Sequence, residues 1–170
     1  MHTLTAALYV AAIVAANVLT AHLGAVPIGL GLSVTAGTFA AGIALTARNL
    51  TQDAAGRRVV LVLMLAGVVI SYWMAGPALA LASGAAFALS ELADMAVYTP
   101  LRDRGRTRAQ LVACTVGAVL DSLVFLWLAG FGITFGLVAG QVLVKLASGA
   151  VVLALVGGVR RAVFRQPQHA

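Results

Sequence analysis

The chain has 170 residues, 62% of them hydrophobic and 9% charged, with a mean hydropathy of +1.03. A soluble domain carries roughly 25% charged residues, and 11 basic with 5 acidic side chains cannot cover a chain of this length with a polar surface. A water-soluble fold is excluded and one membrane domain is indicated, so that the net charge of +6 reports topology rather than nucleic-acid binding.

Met-His-Thr precedes the first apolar run, at about 4–22. It offers no basic n-region and no small-residue cleavage site after a short apolar core, so the run is expected to be retained as a helix. Ala7, Ala11 and Ala15 recur every fourth residue along it, a spacing that lets backbones approach closely. Pro27, Gly29 and Gly31 punctuate the next connection, and a second run spans about 31–47. Arg48, Arg57 and Arg58 fall in the connection 48–58, ahead of a third run at 58–75. Gly76-Pro77 separates this from a fourth run at 78–98, which Thr99-Pro100 is expected to end. Arg102, Arg104, Arg106 and Arg108 follow, then a fifth run at 109–129, the turn residues Gly130-Phe131-Gly132, and a sixth run at 134–157. Arg160, Arg161 and Arg165 lie beyond it.

Each run is near the roughly 20 residues a helix needs to cross the hydrocarbon core. Helix is expected over strand because a spanning segment must satisfy its own backbone hydrogen bonds. The fold class is therefore all-α, an integral membrane protein of six transmembrane helices. Residues 1–161 form the transmembrane domain and 162–170 a tail. Every loop and tail base falls on one side of a six-span arrangement, which the positive-inside rule makes cytoplasmic together with both termini.

With the loops set aside, Glu91 and Asp94 in the fourth run, Asp121 in the fifth and Lys145 in the sixth remain within the membrane. A charge at the bilayer centre costs at least about 2.5–3.5 kcal/mol, so these groups are expected to face the bundle interior. Glu91 and Asp94 share one helix face with Tyr98, and Gln141 lies one turn from Lys145. Asp121 and Lys145, both near mid-span, are expected to be coupled. Polar contacts that merely join helices, with Asn17 and Ser90 among them, are the alternative. Three acids against one base favour a ligand bearing N–H donors, a cation or a proton path.

A carboxylate accepts two parallel N–H bonds, and the N1–H and 2-amino groups of a guanine-like ring present such a pair; Gln, Asn or Lys complement a ring carbonyl. Phe39, Trp73, Tyr98, Phe125 and Trp127 are available for stacking, although a membrane aromatic more often faces lipid or core. His2, His22 and His169 form no ligand cluster, so no metal or other cofactor is expected. Ser90, Ser122 and Cys114 have no histidine at hand for nucleophilic catalysis, and Lys145 closes no glycine-rich phosphate loop. The chain is expected not to be an enzyme. Its lone cysteine forms no intrachain disulfide. Gly132, Gly136 and Gly140 repeat the four-residue spacing; intramolecular packing is the favoured reading, with a homodimer interface as the other.

The run SELADMAVYTPLR, followed by VGAVLDSLVFLWLAGFG and GQVLVKLASG, resembles the queuosine precursor transporters, the YhhQ-like or vitamin uptake transporter family. ANVLTA, TAGTFAAGIAL and ARNLTQDAAGRR are similar to the early part of that family's pattern, so the resemblance covers about residues 10–155. Asn49 departs from the acid that often follows the arginine there. The resemblance implies a six-helix importer of 7-cyano-7-deazaguanine or 7-aminomethyl-7-deazaguanine in a bacterial-type inner (plasma) membrane. It implies that Glu91 and Asp94 bind the pyrimidinone edge, that Asp121 and Lys145 form the polar centre, and that Gln141 and Asn17 add hydrogen bonds. Phe39 and Tyr98 are the stacking candidates. The partners expected are the deazapurine and the lipid bilayer, not nucleic acid. The runner-up is the substrate-binding component of an energy-coupling-factor vitamin importer, docking a partner through the small-residue face of the first helix. A non-transporting scaffold ranks last because it leaves three buried acids without a purpose.

Overall fold

The computed structural model describes residues 2–164. Its elements in chain order are α1 (His2–Leu23), β1 (Ala25–Gly29), β2 (Leu32–Thr35), α2 (Thr38–Ala55), α3 (Arg57–Ala75), α4 (Pro77–Leu101), a 3₁₀ turn (Arg102–Arg104), α5 (Arg106–Leu128) and α6 (Phe135–Phe164). Among the described residues, α1, α3, α4 and α6 are long and apolar enough to cross a membrane, and α5 carries a shorter apolar stretch, Val112–Leu128.

The second apolar run departs from its expected form. Residues 31–37 are not helical: β1 and β2 pair antiparallel, with Val26 opposite Val34 and Pro27 opposite Ser33, and an irregularity between Pro27 and Gly29. Gly29, Leu30 and Gly31 all adopt positive φ, which two flanking glycines make affordable, and Leu30 at the tip is 99% exposed. The helix that follows starts at Thr38 and continues to Ala55. Arg48, read above as a connecting residue, therefore lies inside α2, and it is buried. Gly56, at φ 83°, is the whole junction between α2 and α3. At the other sites the expected boundaries move little, although α4 runs through Pro100 to Leu101. The helix α6 reaches Phe164, three residues into the expected tail; the remainder of that tail, 165–170, lies outside the described residues.

Neighbouring helices close into a ring in the order α1, α2, α6, α5, α4, α3 and back to α1, with β2 packed on α6. Several seams depend on the absence of a side chain. A Cβ on Gly42 would meet the backbone of Lys145 and Ser148 Oγ, so α2 lies directly against α6; Gly149 meets Thr46 at the same seam. Gly136 and Gly140 pack against the backbone of Gly31 and Ser33, so these glycines seat the hairpin on α6. In α1, by contrast, Ala7 and Ala11 face outward while Ala15 is half-buried. Gly42→Val is expected to destabilise the fold by the 1–3 kcal/mol typical of overpacking, at roughly 2–4 °C of melting temperature per kcal/mol for a chain of this size. Thermal unfolding of the purified protein followed by size exclusion measures it; an unchanged melting temperature would show that the α2–α6 seam has slack.

The ring has an apolar layer built by Tyr9, Ala12 and Ile13 of α1, Ala44 and Ala47 of α2, and Val60 and Met64 of α3. Large aromatics at the α3 and α5 C-termini point outward instead: Trp73 is 82% exposed and Trp127 70%, with Tyr72 set edge-on against Trp73. Such positions suit the aromatic belt at a membrane interface.

Candidate functional site

A cavity with about 640 Å³ of empty space, including its mouth, occupies the ring. All six helices line it. Asn17 and Thr20 come from α1, Thr38 from α2, Met64 and Val68 from α3, Ser83 and Phe87 from α4, Asp121 and Phe125 from α5, and Gln141 and Lys145 from α6; β2 adds Thr35. The chain thus turns polar where its helices face one another and stays apolar where they face outward, as intramembrane polar groups require.

Lys145 is the centre of the polar wall. Its Nζ donates to Asp121 Oδ2 at 2.5 Å, to Ser122 Oγ at 2.8 Å and to Gln141 Oε1 at 3.3 Å, which engages all three ammonium hydrogens. The Lys145 and Asp121 side chains are 3% and 14% exposed. The one-turn spacing of Gln141 and Lys145 on α6 brings the amide oxygen to the ammonium. The expected coupling of the two mid-span charges is present as a direct ion pair.

The remaining donors are also spent, or nearly so. Gln141 Nε2 donates to Thr35 Oγ1 at 3.1 Å, and Thr35 and Thr38 share a hydroxyl bond of 3.0 Å, tying the hairpin to the cavity wall. Asn17 Nδ2 lies within hydrogen-bonding distance of Ile13 O, Ser71 Oγ and Ser83 Oγ, at 3.2, 3.1 and 3.0 Å, so its two hydrogens are shared among three acceptors and join α1 to α3 and α4. These bonds use the nitrogen of Asn17 and one oxygen of Asp121. They leave Asn17 Oδ1 and Asp121 Oδ1 as acceptors and the second amide hydrogen of Gln141 as a donor. Phe87 and Phe125 supply flat apolar wall on α4 and α5.

Of the residues singled out in the sequence, Asn17, Asp121, Gln141 and Lys145 line one cavity, whereas Glu91, Asp94, Phe39 and Tyr98 do not. Phe39 is 47% exposed on the outer face of α2. Tyr98 is half-buried near the end of α4. Glu91 is buried and forms an ion pair with Arg48 Nη2, and Asp94 interacts electrostatically with the same guanidinium. The count of three interior acids against one base is corrected accordingly, because Arg48 is a second interior base. Phe87 went unrecognised as a wall residue, since one phenylalanine in an apolar run carries no signal of the direction it faces.

Residues 71–159, more than half of the chain, match the family model described as "Putative vitamin uptake transporter". The match begins in the last turns of α3 and takes in α4, α5 and most of α6, so it includes Ser83, Phe87, Asp121, Phe125, Gln141 and Lys145 of the cavity wall. No curated protein and no solved structure shows significant similarity to the chain.

Proposed function

Since this chain belongs to the vitamin uptake transporter family, a multi-pass membrane protein with a transport rather than a catalytic role, we propose that it imports a 7-deazaguanine precursor of queuosine. The observation that carries this reading is the imbalance of unspent hydrogen-bonding groups in the cavity. Two acceptor oxygens, on Asn17 and Asp121, stand with one amide donor on Gln141. A pyrimidinone edge offers the complement, with N1–H and the 2-amino group as donors and the ring carbonyl as acceptor. The flat walls at Phe87 and Phe125 suit a fused aromatic ring. Lys145 acts indirectly by fixing Asp121 and Gln141, so both groups are positioned before ligand arrives.

Thermal stabilisation of detergent-purified protein tests the proposal, because a ligand that binds only the folded state raises its stability. Both the 7-cyano and 7-aminomethyl deazaguanines should raise the melting temperature, and a deazapurine lacking the 2-amino group should do so far less. Asn17→Leu should weaken deazaguanine binding about tenfold or more, the cost of leaving a buried donor unmet. No stabilisation by either deazaguanine would reject this substrate class.

The proposed orientation places both termini and the Arg102–Arg108 segment in the cytoplasm of a bacterial-type cell, because every loop and tail base of the sequence falls on that side of a six-span arrangement. In a Cys114→Ser background, Arg104→Cys should be protected from an impermeant thiol reagent applied outside, and Gly29→Cys in the hairpin should be labelled. The reverse pattern would invert the topology.

A further inference from the structure

Beyond the cavity, toward the basic end of the bundle, lies a second polar layer. It begins one turn past Phe87 on α4 with Glu91, and continues with Asp94 on the same face. Opposite them stands Arg48 of α2, which is buried and pairs through Nη2 with Glu91. In the ring order, α2 and α4 face each other with two helices between them on either side. The Arg48–Glu91 pair therefore bridges the ring rather than joining neighbours, as a bar across it.

This layer is unfinished in two respects. Arg48 Nη1 donates to Asn49 Oδ1 at 2.7 Å, but Arg48 Nε, Tyr9 Oη and Gln52 Oε1 are buried atoms with no hydrogen-bond partner, and Tyr9 is fully buried. The charges are also unequal. In the cavity, Lys145 and Asp121 cancel; here one guanidinium faces two carboxylates. Among the described side chains, the other titratable groups around Asp94 do not supply a second positive charge within the layer. Tyr9 of α1 and Cys114 of α5 cannot carry a positive charge, Arg57 sits at the exposed start of α3, and Asp103 and Arg104 of the 3₁₀ turn are exposed. Gly117 of α5 presents only backbone to Asp94.

We propose that this layer is a proton-coupled gate, in which Asp94 binds the one proton that balances the Arg48–Glu91 bar. A proton fits better than a metal cation. Arg48 already occupies the centre with positive charge, and the described residues contain no cluster of three or more acidic, histidine or cysteine side chains that could hold a metal ion. The step is an acid–base exchange: hydronium gives a proton to a carboxylate oxygen of Asp94, and the carboxylic acid later returns it to water on the other side. With Asp94 neutral, Arg48 has one anionic partner and the bar is closed. When the proton leaves, two carboxylates compete for one guanidinium, which loosens the bridge between α2 and α4. The orphaned groups of Tyr9, Arg48 and Gln52 are the partners a rearranged layer or an entering water would use.

This proposal rests on the transport reading, but its first test does not. Infrared difference spectroscopy of the purified protein at neutral pH should show the carbonyl stretch of a protonated carboxylic acid in the wild type. Asp94→Asn should lose that band, whereas Asp121→Asn should keep it. A wild type without the band, or a band that survives Asp94→Asn, overturns the proposal, and the wild-type spectrum decides even if a variant folds poorly. In liposomes, an inward proton gradient should drive accumulation of 7-cyano-7-deazaguanine by the wild type. Asp94→Asn should lose this accumulation yet still exchange labelled for unlabelled compound across the bilayer. Loss of exchange with loss of binding would place Asp94 in substrate recognition and sink its role as the proton site. If the wild type moves no deazaguanine although the infrared band behaves as expected, the substrate assignment falls and the proton site stands.

Discussion

Lys145→Met is expected to remove most of the folded protein from detergent extracts, and Asp121→Asn in the same chain is expected to restore much of it. The lysine is buried on α6 and its ammonium holds a carboxylate, a hydroxyl and an amide oxygen. Removing it strands the Asp121 charge in a wall that is otherwise polar but uncharged. Breaking a buried pair by deleting one partner costs about 3–5 kcal/mol, far more than replacing both. A protein with a total stability of about 5–15 kcal/mol does not absorb that loss easily. The double variant has no stranded charge, although it still lacks the bonds to Ser122 and Gln141, so rescue is expected to be large and incomplete. Monodisperse yield and melting temperature of the four proteins in the cycle give the coupling energy. Additive losses would show that Lys145 and Asp121 act independently despite their contact.

This pair was legible in the sequence for a simple reason. Two opposite charges near the middle of consecutive apolar runs are each cheaper beside the other than alone, and no loop residue competes for either. The long apolar helices α1, α3, α4 and α6 were legible on the same grounds, since length and composition alone set them apart. The hairpin was not. Its strands are short and apolar, Pro27 and two glycines punctuate it, and in a greasy chain a short apolar run does not distinguish strand from the start of a helix. The extent of α2 was hidden by Arg48, Asn49, Gln52 and Asp53, which read as a polar connection. A helix in the ring carries such residues when their partners lie across the lumen, and Glu91, 43 positions further along the chain, is too distant for local pattern to reveal. For the same reason Phe39 and Phe87 were indistinguishable until the ring fixed which side of each helix faces inward.

Arg48→Met is the second change with a large expected effect, and it discriminates the two polar layers from each other. It leaves Glu91 and Asp94 together without their guanidinium, while Asn49 loses the donor at its Oδ1. The expected cost is again about 3–5 kcal/mol for a buried pair deprived of one partner, since the protonated Asp94 adds no second stranded charge. Glu91→Gln should therefore rescue much of Arg48→Met, because the protonated Asp94 needs no counter-charge, and adding Asp94→Asn to that pair should change its stability little. Arg48→Lys should fall between wild type and Arg48→Met: an ammonium restores the charge, but it cannot hold Glu91 through one nitrogen and Asn49 through another in a fixed fork. The cavity lies on the other side of this layer, with its own charges cancelled, so the folded fraction of Arg48→Lys should bind deazaguanine as the wild type does. Melting temperatures of the series, with ligand-induced shifts measured on the same samples, check both statements. A stable Arg48→Met that needs no second substitution would mean that the bar across the ring contributes nothing to holding α2 and α4 in place.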